Sequence, residues 1–475
     1  MTKRSSHKLI ALAAVLAIGL CSASSVRAAP AAKQRLRTLA ANILPANRIA
    51  IYAAPVSGGR AIVDINGNTP MQPASCVKLI TAAAALSELG IDYRFRTEFL
   101  AESKPHDATI DALYIRGNGD PFITPEAVWS MAQGLVDHGY RKITGDIVID
   151  DTFFDGYKYP HKNNGGQRAW ESLTGAVTTN FNVVEFVVTP GAPGKLAHVS
   201  VRPNSPYIRL VNKIRTGKRV SIGATRRVEK DHEVFVLTGT VGAKSKPTTL
   251  ARSIKRPVEF AGSVFARMLK AHDVEFTGKV QKGKVPNHAH PLFEAPSRPL
   301  ALVVRDMNKY SSNFIAEQIV KHLGGRRSGK PGSTKQGLVA IREWLDGIGL
   351  DSEDYKLENG SGLSAQSRFT AHQLVKILQA AAADASIAPD FKSSLAVLGV
   401  DGTMNHWHAE PQLRGILRAK TGTLHGTVNL AGYIPNKDGK LIASAIMTEG
   451  INIGVDDARN AEVTIAKALS ELSAR

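Results

Sequence analysis

The sequence predicts a multi-domain α/β protein, in which an antiparallel sheet flanked by helices is interrupted by a large β-rich insertion. Alternating apolar residues form a hairpin pattern near each end of the chain, and helical patterns follow both. Between these halves, residues 91–290 consist mainly of short β-like runs separated by Gly, Pro and Asp turns. The economical assembly places both hairpins in one sheet and inserts the middle block between the two halves.

The first 28 residues have the pattern of a secretory signal peptide. Basic residues at positions 3, 4 and 8 precede an apolar run over residues 9–20, which is too short for a membrane span, and small residues favour cleavage after Ala28. We therefore expect a mature protein that is exported to the periplasm and carries no transmembrane anchor.

The chain is strongly basic, with a formal net charge of +19. Removal of the basic residues at positions 3, 4, 8 and 27 would leave about +15. A basic exported protein is drawn to polyanions, so peripheral contact with the cell wall or with anionic lipid is one expectation, and a merely soluble basic surface is the alternative. Export, and the lack of a basic run interleaved with aromatic residues, argue against a nucleic-acid partner.

The cysteine content and the length add two constraints. Cleavage of the signal peptide removes Cys21 and leaves Cys76, so we expect no intramolecular disulfide and interpret Cys76 as a small buried residue. A mature chain of about 447 residues is too long for one ordinary core, which predicts two or three domains.

The N-terminal half begins with a predicted hairpin. Ile49, Ile51 and Ala53 alternate on one face, a Ser-Gly-Gly turn follows, and residues 61–65 alternate again. A helix is then predicted to begin near Ser75, because an apolar, Ala-rich run follows Pro73.

The remaining elements are predicted from the same periodicities. In the insertion, strands are expected at residues 95–100, 112–116, 143–149, 198–201 and 233–237, and one helix at Pro257–Ala271. After the insertion we expect a long amphipathic stretch at 300–322, a basic glycine-rich loop at 324–332, helices at 336–348 and 370–382, a second hairpin at 428–447 and a C-terminal helix.

Ser75 and Lys78 form a Ser-x-x-Lys motif at the predicted helix start. Since they are three residues apart they share one helix face, where a hydroxyl beside an amine can act as a nucleophile and its base. The motif alone is weak evidence, because about one or two copies are expected by chance in a chain of this length. Ser5 and Lys8 form such a second copy.

Two later motifs strengthen the hypothesis of a catalytic site. Ser311-Ser312-Asn313 falls where one predicted helix ends and another begins, although an isolated Ser-x-Asn is usually a helix cap. Lys420-Thr421-Gly422-Thr423 precedes the last hairpin, and Lys-Thr-Gly is expected by chance in only about one chain in ten of this size. In this order, the three motifs resemble the signature of penicillin-binding proteins and serine β-lactamases.

The three motifs are chemically consistent with acyl transfer. Lys78 can act as the base for Ser75 if part of its population is neutral, which burial and the second cation, Lys420, would favour. Ser311 can relay a proton to the leaving group, and Asn313 can hold a substrate amide.

The Lys-Thr-Gly strand is expected to bind substrate. Lys420, Thr421 and Thr423 can hold a C-terminal carboxylate, and Gly422 lets substrate approach the strand backbone closely. The backbone N–H groups of Ser75 and Thr423 would form the oxyanion hole.

Beyond these motifs, the chain resembles the low-molecular-mass class C penicillin-binding proteins, which are D-alanyl-D-alanine carboxypeptidase/endopeptidases of the cell envelope. Ser75 and Ser311 are 236 residues apart, far more than in serine β-lactamases, and that family has a large insert there. Further stretches that resemble the family are residues 117–121, 145–155, 180–182, 359–364 and 401–403.

The resemblance implies a domain organisation, a substrate and an inhibitor. A transpeptidase-like catalytic domain would comprise residues 29–95 and 292–475, an inserted domain residues 96–185 and 250–291, and a nested β-rich domain residues 186–249. The expected substrates are peptidoglycan stem peptides, whose penultimate D-Ala would acylate Ser75, and β-lactam antibiotics would inhibit. No cofactor and no metal is expected, and a homodimer is left open.

The resemblance also suggests two further substrate-binding residues. In relatives, an acidic residue of the inserted domain can meet the free amine of the diaminopimelate side chain; Asp155 is the candidate here, and an ordinary surface turn is the alternative. The Arg expected after the Ser-Gly-Leu-Ser run is replaced by Ala365. Arg368, three residues further on, is the candidate to supply that charge.

Two other functions remain as alternatives. A serine β-lactamase would share acylation but deacylate rapidly; the long insert and the lack of a Glu-x-x-Leu-Asn element argue against it. A non-catalytic wall-binding or β-lactam-sensing protein is disfavoured because all three motifs are intact.

Overall fold

The computed structural model describes residues 34, 36–38, 45–156, 166–329 and 331–473. The chain forms two compact units. The first comprises residues up to Cys76, Arg368–Asp384 and Leu395–Arg475, and the second comprises Val77–Ser367 and Ala385–Ser394. The predicted signal peptide lies outside the described residues.

In chain order, the helices of the described chain are α1 (Val77–Leu89), α2 (Pro125–Asp137), α3 (Pro257–Ala271), α4 (Leu300–Lys309), α5 (Asn313–Ser328), α6 (Thr334–Gly347), α7 (Ala371–Ala383), α8 (Ala388–Ser394) and α9 (Val455–Ser470).

The strands of the first unit come from both ends of the chain, and those of the second unit lie between them. In chain order they are β1 (Ile49–Pro55), β2 (Val63–Ile65), β3 (Arg96–Ala101), β4 (Thr109–Ile110), β5 (Leu113–Gly117), β6 (Lys142–Ile143), β7 (Ile147–Asp150), β8 (Val183–Thr189), β9 (His198–Arg202), β10 (Ile208–Asn212), β11 (Arg215–Gly217), β12 (Ser221–Val228), β13 (Glu233–Gly242), β14 (Thr248–Ser253), β15 (Glu275–Phe276), β16 (Val280–Gly283), β17 (His290–Pro296), β18 (Ala396–Val397), β19 (Arg418–Leu424), β20 (Thr427–Pro435) and β21 (Leu441–Thr448).

The first unit is organised around an antiparallel sheet with the strand order β18-β19-β20-β21-β1-β2. The N-terminal hairpin joins the C-terminal one directly, because β1 pairs with β21 and sets Ile51 opposite Ile446. The prediction that both hairpins share one antiparallel sheet is therefore confirmed.

The two faces of this sheet pack against different helices. Ile51 and Ile446 belong to an apolar core shared with Leu469 of α9. The opposite face meets α7, where the rings of Tyr52 and His372 lie 4.7 Å apart. Because side chains alternate along a strand, the register places one row of residues on the α7 face: Tyr52, Ala445, Ala431 and Lys420.

The helical part of the second unit surrounds α1. Every residue from Val77 to Leu86 is buried, and α1 contacts α4, α5, α6 and α8. A helix that is apolar on all sides must be covered on all sides, which explains why the Ala-rich run became the central helix.

The β-rich part of the second unit contains several small sheets. Their strand orders are β16-β7-β5-β3-β17, β14-β8-β9, β15-β6-β4 and β10-β13-β11 with β12 also on β13. Helix α3 packs on β7 and β16, and α2 packs on α3, around one apolar core. The multi-domain α/β fold class is confirmed, and the boundaries of the inserted domains remain predictions.

The prediction of one helix in the insertion was wrong, because α2 is a second one. Its N-cap, Thr124, accepts a hydrogen bond from the Ala127 N–H, and Pro125 follows at the first helical position. The predicted strand at 143–149 is two strands, since Gly145 makes a turn so close to the Asp111 carbonyl that a Cβ would lie 2.2 Å from it.

The glycine-rich loop predicted at 324–332 begins later than expected, because α5 continues to Ser328 and is capped by Gly329, which has a φ of +60°. Gly324 and Gly325 lie inside α5 and serve helix packing and not a turn. A Cβ on Gly324 would lie 2.7 Å from the Gly337 nitrogen on α6, and one on Gly325 would lie 3.0 Å from the Phe153 ring. The amphipathic stretch at 300–322 is broken into α4 and α5 at the Ser-x-Asn motif.

None of the helices in the described part of the chain is both long and apolar enough to cross a membrane.

Candidate active site

Ser75 lies on a short 3-10 turn, Ala74–Cys76, which runs directly into α1. The turn is closed by the Cys76 N–H, which donates to the Pro73 carbonyl at 3.1 Å. Ala74 has a φ of +47°, a left-handed conformation that is unfavourable for a residue with a side chain. Ser75 is partly exposed, whereas its neighbours Ala74 and Cys76 are buried.

The Lys-Thr-Gly motif lies on β19, as predicted, and this strand packs against the Ser75 turn within the first unit. A Cβ on Gly422 would lie 2.8 Å from the Pro73 carbonyl oxygen and 3.2 Å from the Ala74 Cβ. The buried Cys76 thiol lies 3.6 Å from the Lys420 carbonyl oxygen. The structure therefore gives Gly422 a role in seating the turn, while close approach of substrate remains a prediction.

One edge of β19 is incompletely paired among the described strands. β18 pairs with Arg418 and Ala419 alone, whereas β20 pairs along the whole of β19. The segment beyond Ala419, which carries the motif, therefore has an open edge to which an extended peptide could add as a strand. Thr423 is exposed on it, and the Thr421 hydroxyl lies 2.9 Å from that of Thr403.

Lys420 is completely buried. Its ammonium donates to the Thr421 carbonyl at 2.8 Å. Burial lowers the pKa of Lys420 to about 8, because a charged amine is poorly solvated in the interior.

Lys78, on the first turn of α1, is also completely buried. In the second unit its Nζ donates to Asn313 Oδ1 at 2.8 Å and to the Ser361 carbonyl at 2.6 Å. The lysine of the first motif and the asparagine of the second are thus in direct contact.

The turn between α4 and α5 positions the second motif. Ser311 has a φ of +56°, and its neighbour Ser312 caps α5 by accepting from the Ile315 N–H at 3.3 Å. Asn313 is the first residue of α5, and its amide also donates to the Trp170 carbonyl at 3.2 Å. Both Ala74, which precedes the motif residue Ser75, and Ser311, which is itself a motif residue, are non-glycine residues held in a left-handed conformation.

A buried carboxylate lies next to the Lys78 contact. Glu317 Oε1 accepts from the Ser361 N–H at 2.9 Å, so the backbone of Ser361 is held by Glu317 at its nitrogen and by Lys78 at its oxygen. Burial raises the pKa of Glu317, while hydrogen bonds from Ser361 and the charge of Lys78 oppose the rise.

Asp155 and Arg368 each lie in an ion pair. Asp155 Oδ1 is 2.6 Å from Nζ of Lys321, which is 1% exposed and lies one turn after Glu317 on α5. Arg368 is 3.6 Å from Glu449, which also accepts from the Gln72 N–H. That Asp155 and Arg368 also contact substrate remains a prediction.

A model of the family described as D-Ala-D-Ala carboxypeptidase 3 (S13) matches residues 33–472. The chain belongs to this family. It is therefore a serine-type D-Ala-D-Ala carboxypeptidase, a hydrolase of the peptidase class, and the resemblance to low-molecular-mass class C penicillin-binding proteins is confirmed.

Individual proteins agree with the family assignment of this carboxypeptidase. It is 33% identical over 417 residues to a D-alanyl-D-alanine carboxypeptidase of Actinomadura sp., covering 83% of the chain and 77% of that protein. The fold is similar to penicillin-binding protein 4 from Haemophilus influenzae, with a TM-score of 0.80, 24% identity and coverage of 92% and 99%. A second structure of that protein, complexed with a β-lactam, has a TM-score of 0.75 at the same identity and coverage.

The structure brings the predicted residues of the carboxypeptidase together in two groups. Within the first unit the turn of Ser75 packs on the strand of Lys420 and Gly422, and within the second Lys78 meets Asn313. Ser361 belongs to a stretch that already resembled the family, although no role was predicted for it. Nothing in the sequence pattern indicated Glu317. In the described part of the chain, no group of three or more His, Cys, Asp or Glu side chains is arranged to hold a metal.

Proposed function

We propose that the enzyme hydrolyses peptidoglycan stem peptides through an acyl-enzyme on Ser75, with Lys78 as the base. It removes the terminal D-Ala as a carboxypeptidase and cleaves D-Ala–diaminopimelate cross-links as an endopeptidase. The observation that carries the proposal is the contact of the buried Lys78 with Asn313 and Ser361.

These two contacts suit a base in its neutral form. A neutral amine keeps two N–H groups, so it can still donate to the Asn313 and Ser361 oxygens while it acts as a base. Complete burial of Lys78 further disfavours the ammonium form.

Acylation begins when the Ser75 Oγ attacks the carbonyl carbon of the penultimate D-Ala and its proton passes to the Lys78 amine. The N–H groups of Ser75 and Thr423 stabilise the negative oxygen of the tetrahedral intermediate. The C–N bond then breaks, and the departing amine takes the proton from Lys78 by way of the Ser311 hydroxyl. Terminal D-Ala leaves, and the acyl group remains on Ser75.

Deacylation repeats these steps with water as the nucleophile. Lys78 accepts a proton from the water, which attacks the ester carbon, and the proton returns to the Ser75 oxygen as the C–O bond breaks. A β-lactam acylates Ser75 in the same way, but its leaving amine stays tethered, and this inhibits the enzyme.

Substrate binding is assigned to the strand and to two ion-paired side chains. Lys420, Thr421 and Thr423 bind the terminal carboxylate, which suits an open strand edge with a buried cation. Asp155 binds the free amine of diaminopimelate, in exchange for part of its contact with Lys321. Arg368 supplies the charge that Ala365 cannot.

The proposed compartment is the periplasm, where the substrate is found, reached through a cleaved signal peptide. The net charge of about +15 that remains after cleavage favours peripheral contact with the anionic wall or membrane. A homodimer is compatible with this function.

One experiment tests the function and separates the alternatives. The mature protein is incubated with labelled penicillin and with a pentapeptide ending in D-Ala-D-Ala. We expect a slowly lost label on Ser75 and release of D-Ala, both abolished in Ser75→Ala. Rapid penicillin turnover would indicate a β-lactamase, and a wild-type protein that takes up no label would refute an acyl-enzyme.

A further inference from the structure

The buried carboxylate of Glu317 lies beside the proposed catalytic base without being one of the three motifs. It is 3% exposed on α5, one turn after Asn313 and one turn before Lys321. Residues four apart share a helix face, so α5 presents these three polar side chains in one row. A carboxylate buried in such a row is costly unless it is hydrogen-bonded or compensated by a cation.

Glu317 makes only part of the contacts that it could. Its Oε1 accepts from the Ser361 N–H at 2.9 Å, but its Oε2 is buried without a hydrogen-bond partner among the described residues. The charge that acts on it is that of Lys78, whose Nζ donates to the carbonyl of the same Ser361. One peptide residue therefore connects the carboxylate and the amine.

Most of the other charged groups near α5 have partners of their own. On α5 and on the elements that pack against it, these are Glu88 and Glu343 with Arg327; Lys321 with Asp155; Arg305 with Asp306, which also pairs with Arg298; Arg342 on the Leu357 carbonyl; Glu171 on the Arg168 N–H; and Arg326 over the Tyr93 ring. Lys309 is partly exposed, and Lys335 and Asp346 are exposed to solvent. His322 is buried and held neutral, since burial lowers its pKa to about 4. Lys420 belongs to the other unit.

We propose that Glu317 is a positioning residue for Lys78, which holds the Ser361 carbonyl in place as acceptor and, through its negative charge, sets the pH at which Lys78 becomes a base. The inference rests on the proposed role of Lys78 in acylating Ser75. An ionised Glu317 favours the ammonium form of Lys78, so the carboxylate keeps the base protonated to a higher pH than burial alone would allow.

Glu317→Gln separates charge from position. Its amide oxygen can still accept from the Ser361 N–H, but the negative charge is gone. The rate of acylation by penicillin is measured against pH, and we expect its maximum to stay within about threefold of wild type. The rising limb, which is the part of this pH–rate profile where the rate increases as Lys78 loses its proton, is expected to move to lower pH by roughly one to three units. In Glu317→Ala the Ser361 N–H loses its acceptor, and the maximum rate is expected to fall at least about tenfold.

Glu462→Gln is the matched control. Glu462 is a second buried carboxylate with a raised pKa, but it lies on α9 of the first unit. Its neutralisation is expected to leave the acylation profile unchanged. Glu317→Asp shortens the side chain but keeps the charge. We expect the rising limb of its pH–rate profile to stay at the wild-type pH, and its maximum acylation rate to be lower.

The inference would be overturned if the Glu317→Gln profile superposed on the wild-type profile, or if Glu462→Gln moved the limb equally. If Glu317→Gln does not fold, Glu317→Asp decides: a shifted limb in that variant would show that geometry and not charge sets the pH dependence. A wild-type enzyme without acylation at Ser75 would refute the proposed function itself, whatever the behaviour of the Glu317 variants.

Discussion

The turn that carries Ser75 packs closely against Gly422, so the substitution Gly422→Ala tests this contact. The added Cβ would lie 2.8 Å from the Pro73 carbonyl oxygen, where ordinary contact begins at 3.4 Å. Strand and turn must therefore separate by about 0.6 Å. The obstacle is backbone, so rotation of a side chain cannot relieve it.

The displacement acts on the proposed nucleophile, because Pro73 precedes Ser75 by two residues. A shift of about 1 Å in a reacting group costs about a hundredfold in rate, so we expect Gly422→Ala to reduce acylation by between ten- and a hundredfold. Overpacking of this kind costs about 1–3 kcal/mol of folding stability, which leaves the protein folded.

The assay is the second-order rate of acylation by a fluorescent penicillin, with thermal unfolding measured on the same samples. Gly347→Ala is the control, since a Cβ at Gly347, at the end of α6, would meet no atom within 4 Å. We expect it to acylate at the wild-type rate. Acylation of Gly422→Ala within threefold of wild type would refute the reasoning that Gly422 seats the turn.

Two further substitutions test the buried cations. Folding lowers the pKa of Lys420 from the ordinary lysine value of 10.5 to about 8, so burial of the ammonium costs stability below pH 8, and this cost disappears as the pH rises to 10.5. Lys420→Met should therefore be more stable than wild type at pH 7 by up to about 3 kcal/mol, although it acylates poorly. In chemical denaturation this difference in the free energy of unfolding should close between pH 8 and 10.5. A difference that does not change with pH would contradict the prediction. Asp155→Asn removes the carboxylate beside the buried Lys321 and should destabilise the protein by about 3 kcal/mol in the same measurement, whereas Asp155→Asn with Lys321→Met should recover much of the loss. Equal stability of the single and double variants would show that the ion pair is not what the aspartate contributes.

The periodicity of the sequence was sufficient for the elements that bury a clear face. The hairpins of the first unit and helices such as α3 followed from alternation or helical spacing, and α3 has the predicted bounds. The missed helix α2 aside, the errors came from glycine. Gly324 and Gly325 looked like a loop, but they lie inside α5 because two backbones approach there, and a single sequence does not show a neighbour that is distant along the chain.

The sequence predicted the motifs of the candidate site, but not the hydrogen bonds that hold their side chains. Ser75, Lys78, Asn313 and Lys420 were recognised because their three motifs stand in the order of the penicillin-binding-protein signature and their side chains suit acyl transfer. The hydrogen bond from Lys78 to the Ser361 carbonyl was not predicted, because a backbone oxygen carries no residue-specific signal. Glu317 was missed for a related reason: a glutamate on a helix is ordinarily a solvated residue, and only the packing of α5 shows that this one is buried.

The sequence by itself therefore determined the class of chemistry, the family and the elements on which the motifs lie, because these depend on residue type, order and local periodicity. Only the tertiary structure decided which groups hold the amine of Lys78, why residue 422 has no side chain and which carboxylate is buried near the base. Each of these depends on contacts between segments hundreds of residues apart, such as the 283 residues between Lys78 and Ser361. Such contacts arise from packing, and no local pattern encodes them.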